Sequence, residues 1–183
     1  MSLEYAMLGF LQITPLSGYD MKKMFHASVR HFWAADQSQI YRTLARLTNY
    51  ELIWSETVIQ DGRPNSKVYH ITEKGKEEFS KWLTSSITPV EPRISWLIQV
   101  FFSGGLSDEE FIRMMEGVAS KIRCLMKEFE RDASKDELIP DNKESKRDLF
   151  FHKLTFDYGM TMNKSIINWI EETIERVKNK KYL

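Results

Sequence analysis

The sequence predicts a mostly α-helical protein that carries one small β-hairpin in its first half, and three observations predict it. Apolar residues recur at three- and four-residue spacing along most of the chain, the period of an amphipathic helix. A single pair of β-branched and aromatic runs, Ile53 to Gln60 and Lys67 to Thr72, brackets the turn-forming stretch Asp61-Gly62-Arg63-Pro64-Asn65. The stretch from Ser85 to Pro92, with Thr88, Pro89 and Pro92, interrupts the pattern and predicts a boundary between a domain of residues 1–88 and a helical one of residues 89–183.

In the first domain, the dense apolar run from Leu3 to Leu11 predicts a short helix, stopped by Pro15 because its ring lacks an amide proton and cannot continue the helix. Ser17 and Asp20 form a capping-box variant that opens a second helix, with Tyr19, Met21, Met24 and Phe25 at helical spacing and an end near His31. Asp36 caps a third, in which Ile40, Leu44 and Leu47 share one face. The opposite face holds Ser38, Arg42, Ala45 and Asn49, flanked by Gln39 and Arg46, so it offers donors and acceptors without bulky hydrophobes. The hairpin has a basic tip, and Thr72-Glu73-Lys74 opens a fourth helix carrying Phe79, Trp82 and Leu83.

Beyond the boundary, Ile94, Leu97, Ile98, Phe101 and Phe102 predict a short helix ended by Gly104-Gly105. Ser107 and Glu110 make a capping box for a long helix striped with Phe111, Met114, Met115, Val118, Ile122, Leu125, Met126 and Phe129. A polar stretch around Pro140 breaks it, and a final helix runs from about Ser145 nearly to the end. There Leu149, Phe156, Met160, Ile167, Ile170, Ile174 and Val177 follow a 3-4 rhythm with Lys153 and Asn163 in register. Left bare, that stripe would be a large apolar patch. Leu149, Phe156, Met160, Asn163, Ile167, Ile170 and Ile174 are therefore expected at the interface of a homodimer. Leu154, Tyr158, Met162, Ile166 and Trp169 widen the face, which is then expected to touch both its own domain and a partner.

Composition bounds the function. With 42% hydrophobic and 28% charged residues in a chain of 183, a folded core is affordable and general disorder is excluded. Twenty-six basic and twenty-six acidic residues cancel, so any charged partner must be met by local arrangement. Cys124 is the only cysteine, which excludes an intramolecular disulfide and fits a reducing cytoplasm. No apolar run approaches the roughly 18 to 20 residues of a membrane span, and no basic leader precedes the first helix, so neither membrane insertion nor export is expected. The four histidines are scattered without ligand spacing, and phosphate loops and nucleophile elbows are absent; no metal, no cofactor and no enzymatic activity are expected.

Three helices, a hairpin with a Gly-Arg-Pro tip and a following helix have the order of a winged helix-turn-helix. The run Phe32-Trp33-Ala34-Ala35-Asp36-Gln37-Ser38-Gln39-Ile40-Tyr41-Arg42-Thr43-Leu44-Ala45-Arg46-Leu47, then Gly62-Arg63-Pro64 and Tyr69-His70-Ile71-Thr72-Glu73-Lys74-Gly75, resembles the PadR family of bacterial transcriptional regulators. The tail, with Phe101-Phe102-Ser103-Gly104-Gly105-Leu106-Ser107, resembles the larger branch that includes virulence-gene activators. The resemblance implies a winged-helix DNA-binding domain joined to an α-helical dimerisation domain, acting as a homodimer on a pseudo-palindromic promoter site, with repression the expected sign. It also implies that a small aromatic effector is a candidate partner. Trp96, Trp169 and the methionines would suit such a ligand, but core packing accounts for them better, so no effector residue is assigned. In one departure, the chain has Glu51 where the family carries a glycine after the third helix; a left-handed residue there costs Glu about 1 kcal/mol. Either Asn49 takes the cap or the turn is rebuilt.

On this reading Ser38, Gln39 and Arg42 contact bases in double-stranded DNA, since Gln and Arg have bidentate geometry for adenine and guanine. Arg63, held between Gly62 and Pro64, enters a minor groove from the wing. Lys22, Lys23, Tyr41, Arg46 and Lys67 meet phosphates. The rival reading is an adaptor whose winged helix binds protein, which should carry an apolar patch where Ser38, Arg42, Asn49 and Arg63 sit.

Overall fold

The computed structural model describes residues 2–30, 32–59, 65–87, 93–133 and 146–181. His31, the hairpin tip with Arg63, the prolines at 89 and 92 and Pro140 lie outside the described residues. The chain divides into two compact units, Met1–Ser86 with Lys135–Thr155 and Ile87–Ser134 with Phe156–Leu183. The last helix therefore contributes to both.

The first unit contains helix α1 (Ser2–Ile13), strand β1 (Leu16–Ser17), helices α2 (Gly18–Ala27) and α3 (Gln37–Asn49), strands β2 (Ile53–Val58) and β3 (Ser66–Ile71), and helix α4 (Glu73–Leu83). The hairpin is joined by β1 into an antiparallel sheet of order β1-β3-β2, with Leu16 opposite Tyr69 and Ile53 opposite Ile71. Strand β1 spans two residues, too few for alternation to mark it in the sequence. The expected apolar faces do meet: Met7, Leu8 and Leu11 of α1, Met21 and Phe25 of α2, and Ile40, Leu44 and Leu47 of α3 close on Ile53 in one buried cluster. Helix α2 ends at Ala27, short of the expected His31, where the Ser28 hydroxyl donates to the Met24 carbonyl at 2.5 Å.

The departure at Glu51 resolves in neither expected way. Glu51 itself adopts φ 58°, and the Leu52 amide donates to the Leu47 carbonyl while the Glu51 amide donates to that of Thr48. This is the Schellman closure that a glycine would ordinarily make. Helix α4 fastens it: the Thr72 hydroxyl donates to the Glu51 carbonyl at 2.8 Å, the Thr72 amide to the Leu52 carbonyl, and Lys74 Nζ to the Tyr50 carbonyl at 2.8 Å. These bonds offset the strain of a left-handed glutamate. They also require Gly75, because a Cβ there would lie 2.1 Å from the Leu52 carbonyl oxygen.

The second unit holds helix α5 (Ser95–Phe101), a 3₁₀ turn (Ser103–Gly105), helix α6 (Asp108–Ala133) and most of α7 (Lys146–Lys178). The expected capping box forms, with the Ser107 amide donating to Glu110 Oε2 at 2.9 Å and the Glu110 amide to the Ser107 hydroxyl. Those donors, the backbone amide first and the hydroxyl second, hold the Glu110 carboxyl below the usual carboxylate range. Met115 and Ala119 of α6 bury Ile170 and Ile174 of α7, and Arg123 pairs with Glu171 beside them.

That packing corrects the expected stripe. Met160, Ile170 and Ile174 were expected to stand exposed until a partner covered them, yet their own chain buries all three. Phe156, Asn163 and Ile167 are half-buried, and the Asn163 amide donates to the Gly159 carbonyl of its own helix. Bare apolar surface lies instead on Leu149 and on the flank expected merely to widen the face, at Leu154, Tyr158, Met162 and Trp169. Periodicity located an apolar helix but could not choose which of its two adjoining stripes α6 would cover.

Candidate nucleic-acid interface

Helix α3 is fixed from beneath by Ile40, Thr43, Leu44 and Leu47, all buried, and from its start by a complete capping box on Asp36. Asp36 Oδ1 accepts from the Gln39 amide at 2.8 Å, and Gln39 Oε1 accepts from the Asp36 amide at 3.0 Å. Ser38, Arg42, Ala45 and Asn49 are exposed on the far side, so the polar face read from the sequence is a free surface of this unit. Arg42 Nε donates to the Ser38 carbonyl at 3.3 Å, which uses one of the five guanidinium donors.

The other expected contacts fall into distinct settings. Tyr41, half-exposed, lies over the start of α2, where a Cβ on Gly18 would come within 2.7 Å of its ring. Burial, and then the nearby Tyr41, raise the pKa of the Tyr69 hydroxyl. Lys22 Nζ donates to Gln37 Oε1 at 3.2 Å, joining α2 to the first residue of α3, and Lys23 sits over the Tyr19 ring at 4.7 Å. Lys67 is exposed on β3 opposite Thr57. Arg46 is the exception: Glu4 of α1 holds it in an ion pair, within a cleft of about 620 Å³ that Tyr5, Tyr50, Lys74 and Glu78 also line. In that cleft Tyr5 donates to Glu78 Oε1 at 3.1 Å; burial, then that hydrogen bond, raise the Tyr5 pKa.

Two surface features were not anticipated. Gln37 precedes the apolar rhythm of α3, and its bond to Lys22 is what distinguishes it. On the hairpin, Trp54 stacks on His70 with ring centres 4.2 Å apart, and His70 Nε2 lies 2.9 Å from Glu56 Oε1. Cross-strand pairing of Trp54 with His70 puts these groups on one face of the hairpin. Among the described residues, no group of three or more His, Cys, Asp or Glu could hold a metal ion. No helix described is long and apolar enough to cross a membrane.

The model of the PadR-like transcriptional regulator family matches residues 7–81, and that of the virulence activator α C-terminal region matches residues 92–178. Residues 7–81 thus form a PadR-like family domain. The negative transcriptional regulator PadR of Bacillus subtilis is 27% identical over 176 residues, 96% of this chain and 97% of that protein. A probable transcriptional regulator of Mycobacterium tuberculosis is 38% identical over 92 residues, about half of each chain. The crystal structure of Bacillus subtilis PadR in complex with operator DNA superposes with a TM-score of 0.80 at 26% identity, covering 97% of this chain and 99% of that one. A structure of the same regulator with p-coumaric acid gives 0.75 over the same shares. The virulence activator AphA of Vibrio cholerae shares the fold, with a TM-score of 0.73 at 20% identity and coverage of 97% and 99%. Relatives of this PadR-like chain are thus transcriptional regulators, and its winged-helix unit has the architecture of a DNA-binding fold.

Proposed function

We propose that the chain is a sequence-specific DNA-binding transcriptional regulator that acts as a homodimer on a pseudo-palindromic promoter site and represses by occupying it. The observation that carries this reading is the exposed face of α3, where Ser38, Arg42, Ala45 and Asn49 stand free of bulky apolar groups while the opposite face anchors the helix in the core. An adaptor would need apolar surface there. Arg42 discriminates a base, Ser38 assists it, and Lys23, Tyr41 and Lys67 set the register on phosphates. The operator complex of the Bacillus subtilis relative supports the DNA-binding reading. The p-coumaric acid complex of the same relative supports a small aromatic effector, whose binding would be read as quenching of the Trp96 and Trp169 pair, 5.8 Å apart.

Genomic fragments retained by the purified protein, followed by binding isotherms at several salt concentrations, test the reading. Arg42→Ala should lose about 1–3 kcal/mol on the retained operator and flatten preference at one position per half-site. Lys67→Ala should weaken operator and scrambled duplexes alike and reduce the salt slope by about one unit per subunit. Equal loss on both duplexes with Arg42→Ala would remove α3 as the reading element.

A further inference from the structure

Two glutamines stand two residues apart at the start of α3, and their side chains are committed to opposite tasks. Gln39 is folded back on the helix: its side-chain Oε1 accepts from the Asp36 backbone amide, while the Gln39 backbone amide donates to the Asp36 carboxylate. Bidentate recognition of adenine needs the oxygen and nitrogen of one side-chain amide presented together, outward. To do that Gln39 would have to turn out of the capping box and leave a helix-start donor unpaired. Gln37, exposed at the first helical position, has no such commitment. Its Oε1 takes a hydrogen bond from Lys22 Nζ of α2 at 3.2 Å.

We propose that Gln37, positioned by Lys22, is the base-reading glutamine of this recognition helix and that it selects guanine, while Gln39 serves the helix start. The inference rests on the DNA-binding reading above and deepens it. With the amide oxygen held by an ammonium, what Gln37 presents is its NH₂ group, beside the remaining N–H bonds of Lys22. The ammonium occupies one lone pair of the amide oxygen, so donors predominate on this surface. Guanine offers two neighbouring acceptors in the major groove, N7 and O6, whereas adenine sets its own N6 donor beside N7 and cytosine presents a donor. Lys22 then acts as a positioning residue, a role different from the phosphate contact that its charge alone suggests. Its substitution should relax sequence preference, which the loss of a mere phosphate contact would not do.

The test selects duplexes from a randomised pool with the full-length protein and measures affinity on the selected duplex and on duplexes changed at one base pair. Gln37→Ala and Lys22→Met should each lose about tenfold of guanine preference at the same base pair, and the double variant should lose no more than the worse single one. Gln39→Ala should lower the melting temperature and keep every base preference; Gln39→Glu, which retains the box acceptor, should restore the melting temperature. The inference is overturned if Gln37→Ala leaves all preferences intact while Arg42→Ala flattens one, or if Gln39→Glu loses a preference with its melting temperature restored. Uniform weakening on all duplexes with Lys22→Met returns that residue to a phosphate contact and also overturns it. If the unaltered protein enriches no duplex, the DNA-binding reading itself fails.

Discussion

The two units close their interiors differently. In the first, twelve residues drawn from α1, β1, α2, α3 and β2 form one buried cluster. In the second, among the described residues, only Met115, Ala119, Ile170 and Ile174 are buried together, while Phe101 is 81% exposed, Phe102 74% and Tyr158 62%. Apolar residues are as dense in one as in the other, so the contrast lies in arrangement. Several short elements crossing at angles enclose a core with their own chain, whereas two long helices side by side bury one stripe each and leave the flanks bare. A unit of the second kind gains from a partner, and the first does not need one.

The comparison is broken or sharpened first by core truncation. Leu44→Ala and Ile170→Ala should each cost about 2–5 kcal/mol. Calorimetry at several protein concentrations should then separate the units: the Leu44→Ala loss should be independent of concentration, while the Ile170→Ala loss should shrink as dimerisation is favoured. Gly75→Ala comes next, at about 2–3 kcal/mol of lost stability by urea unfolding, because its Cβ would meet the Leu52 carbonyl and force α4 away from the Schellman turn. Tyr158→Asp should leave the helical signal unchanged and raise the dimer dissociation constant at least tenfold, about 1.4 kcal/mol, by sedimentation. An unchanged constant would mean that this flank of α7 is not where two copies meet. Glu51→Gly should stabilise the first unit by about 1 kcal/mol, since glycine adopts the left-handed conformation without strain and the exposed Glu51–Lys74 pair contributes little. The smallest effect is that of pH on the start of α6. The folded Glu110 carboxyl titrates below its unfolded range, so the stabilisation is complete above that range and is lost as pH falls through the lowered value. Ser107→Ala removes the hydroxyl and keeps the backbone amide donor, so it should weaken this dependence without abolishing it, followed as helicity in acid.

The candidate interface was legible wherever a local rule sufficed. Asp36 announces its helix, and the 3-4 spacing of Ile40, Leu44 and Leu47 fixes which face of α3 turns inward, hence which residues turn out. The use to which an outward side chain is put depends on neighbours far along the chain or curled back on it. The sequence reads Arg46 as a phosphate contact and Gln39 as a base contact, but the pair of Arg46 with Glu4 of α1, the closure of the capping box by Gln39 and the bond from Lys22 to Gln37 are visible only in the fold.

By itself, the sequence determined the helices, the hairpin, the caps at Ser17, Asp36, Thr72 and Ser107, and the family, because each follows from periodicity, capping chemistry or a contiguous motif within a few residues. Tertiary structure alone decided that Glu51 carries the left-handed turn, since its strain is offset by Thr72 and Lys74, more than twenty residues away. It alone decided which stripe of α7 is core. Both stripes are apolar at helical spacing, and only the approach of Met115 and Ala119 on α6 buries Ile170 and Ile174 and leaves Leu154, Tyr158 and Met162 facing outward. Burial is a property of pairs of surfaces, and a single helix specifies only one of them.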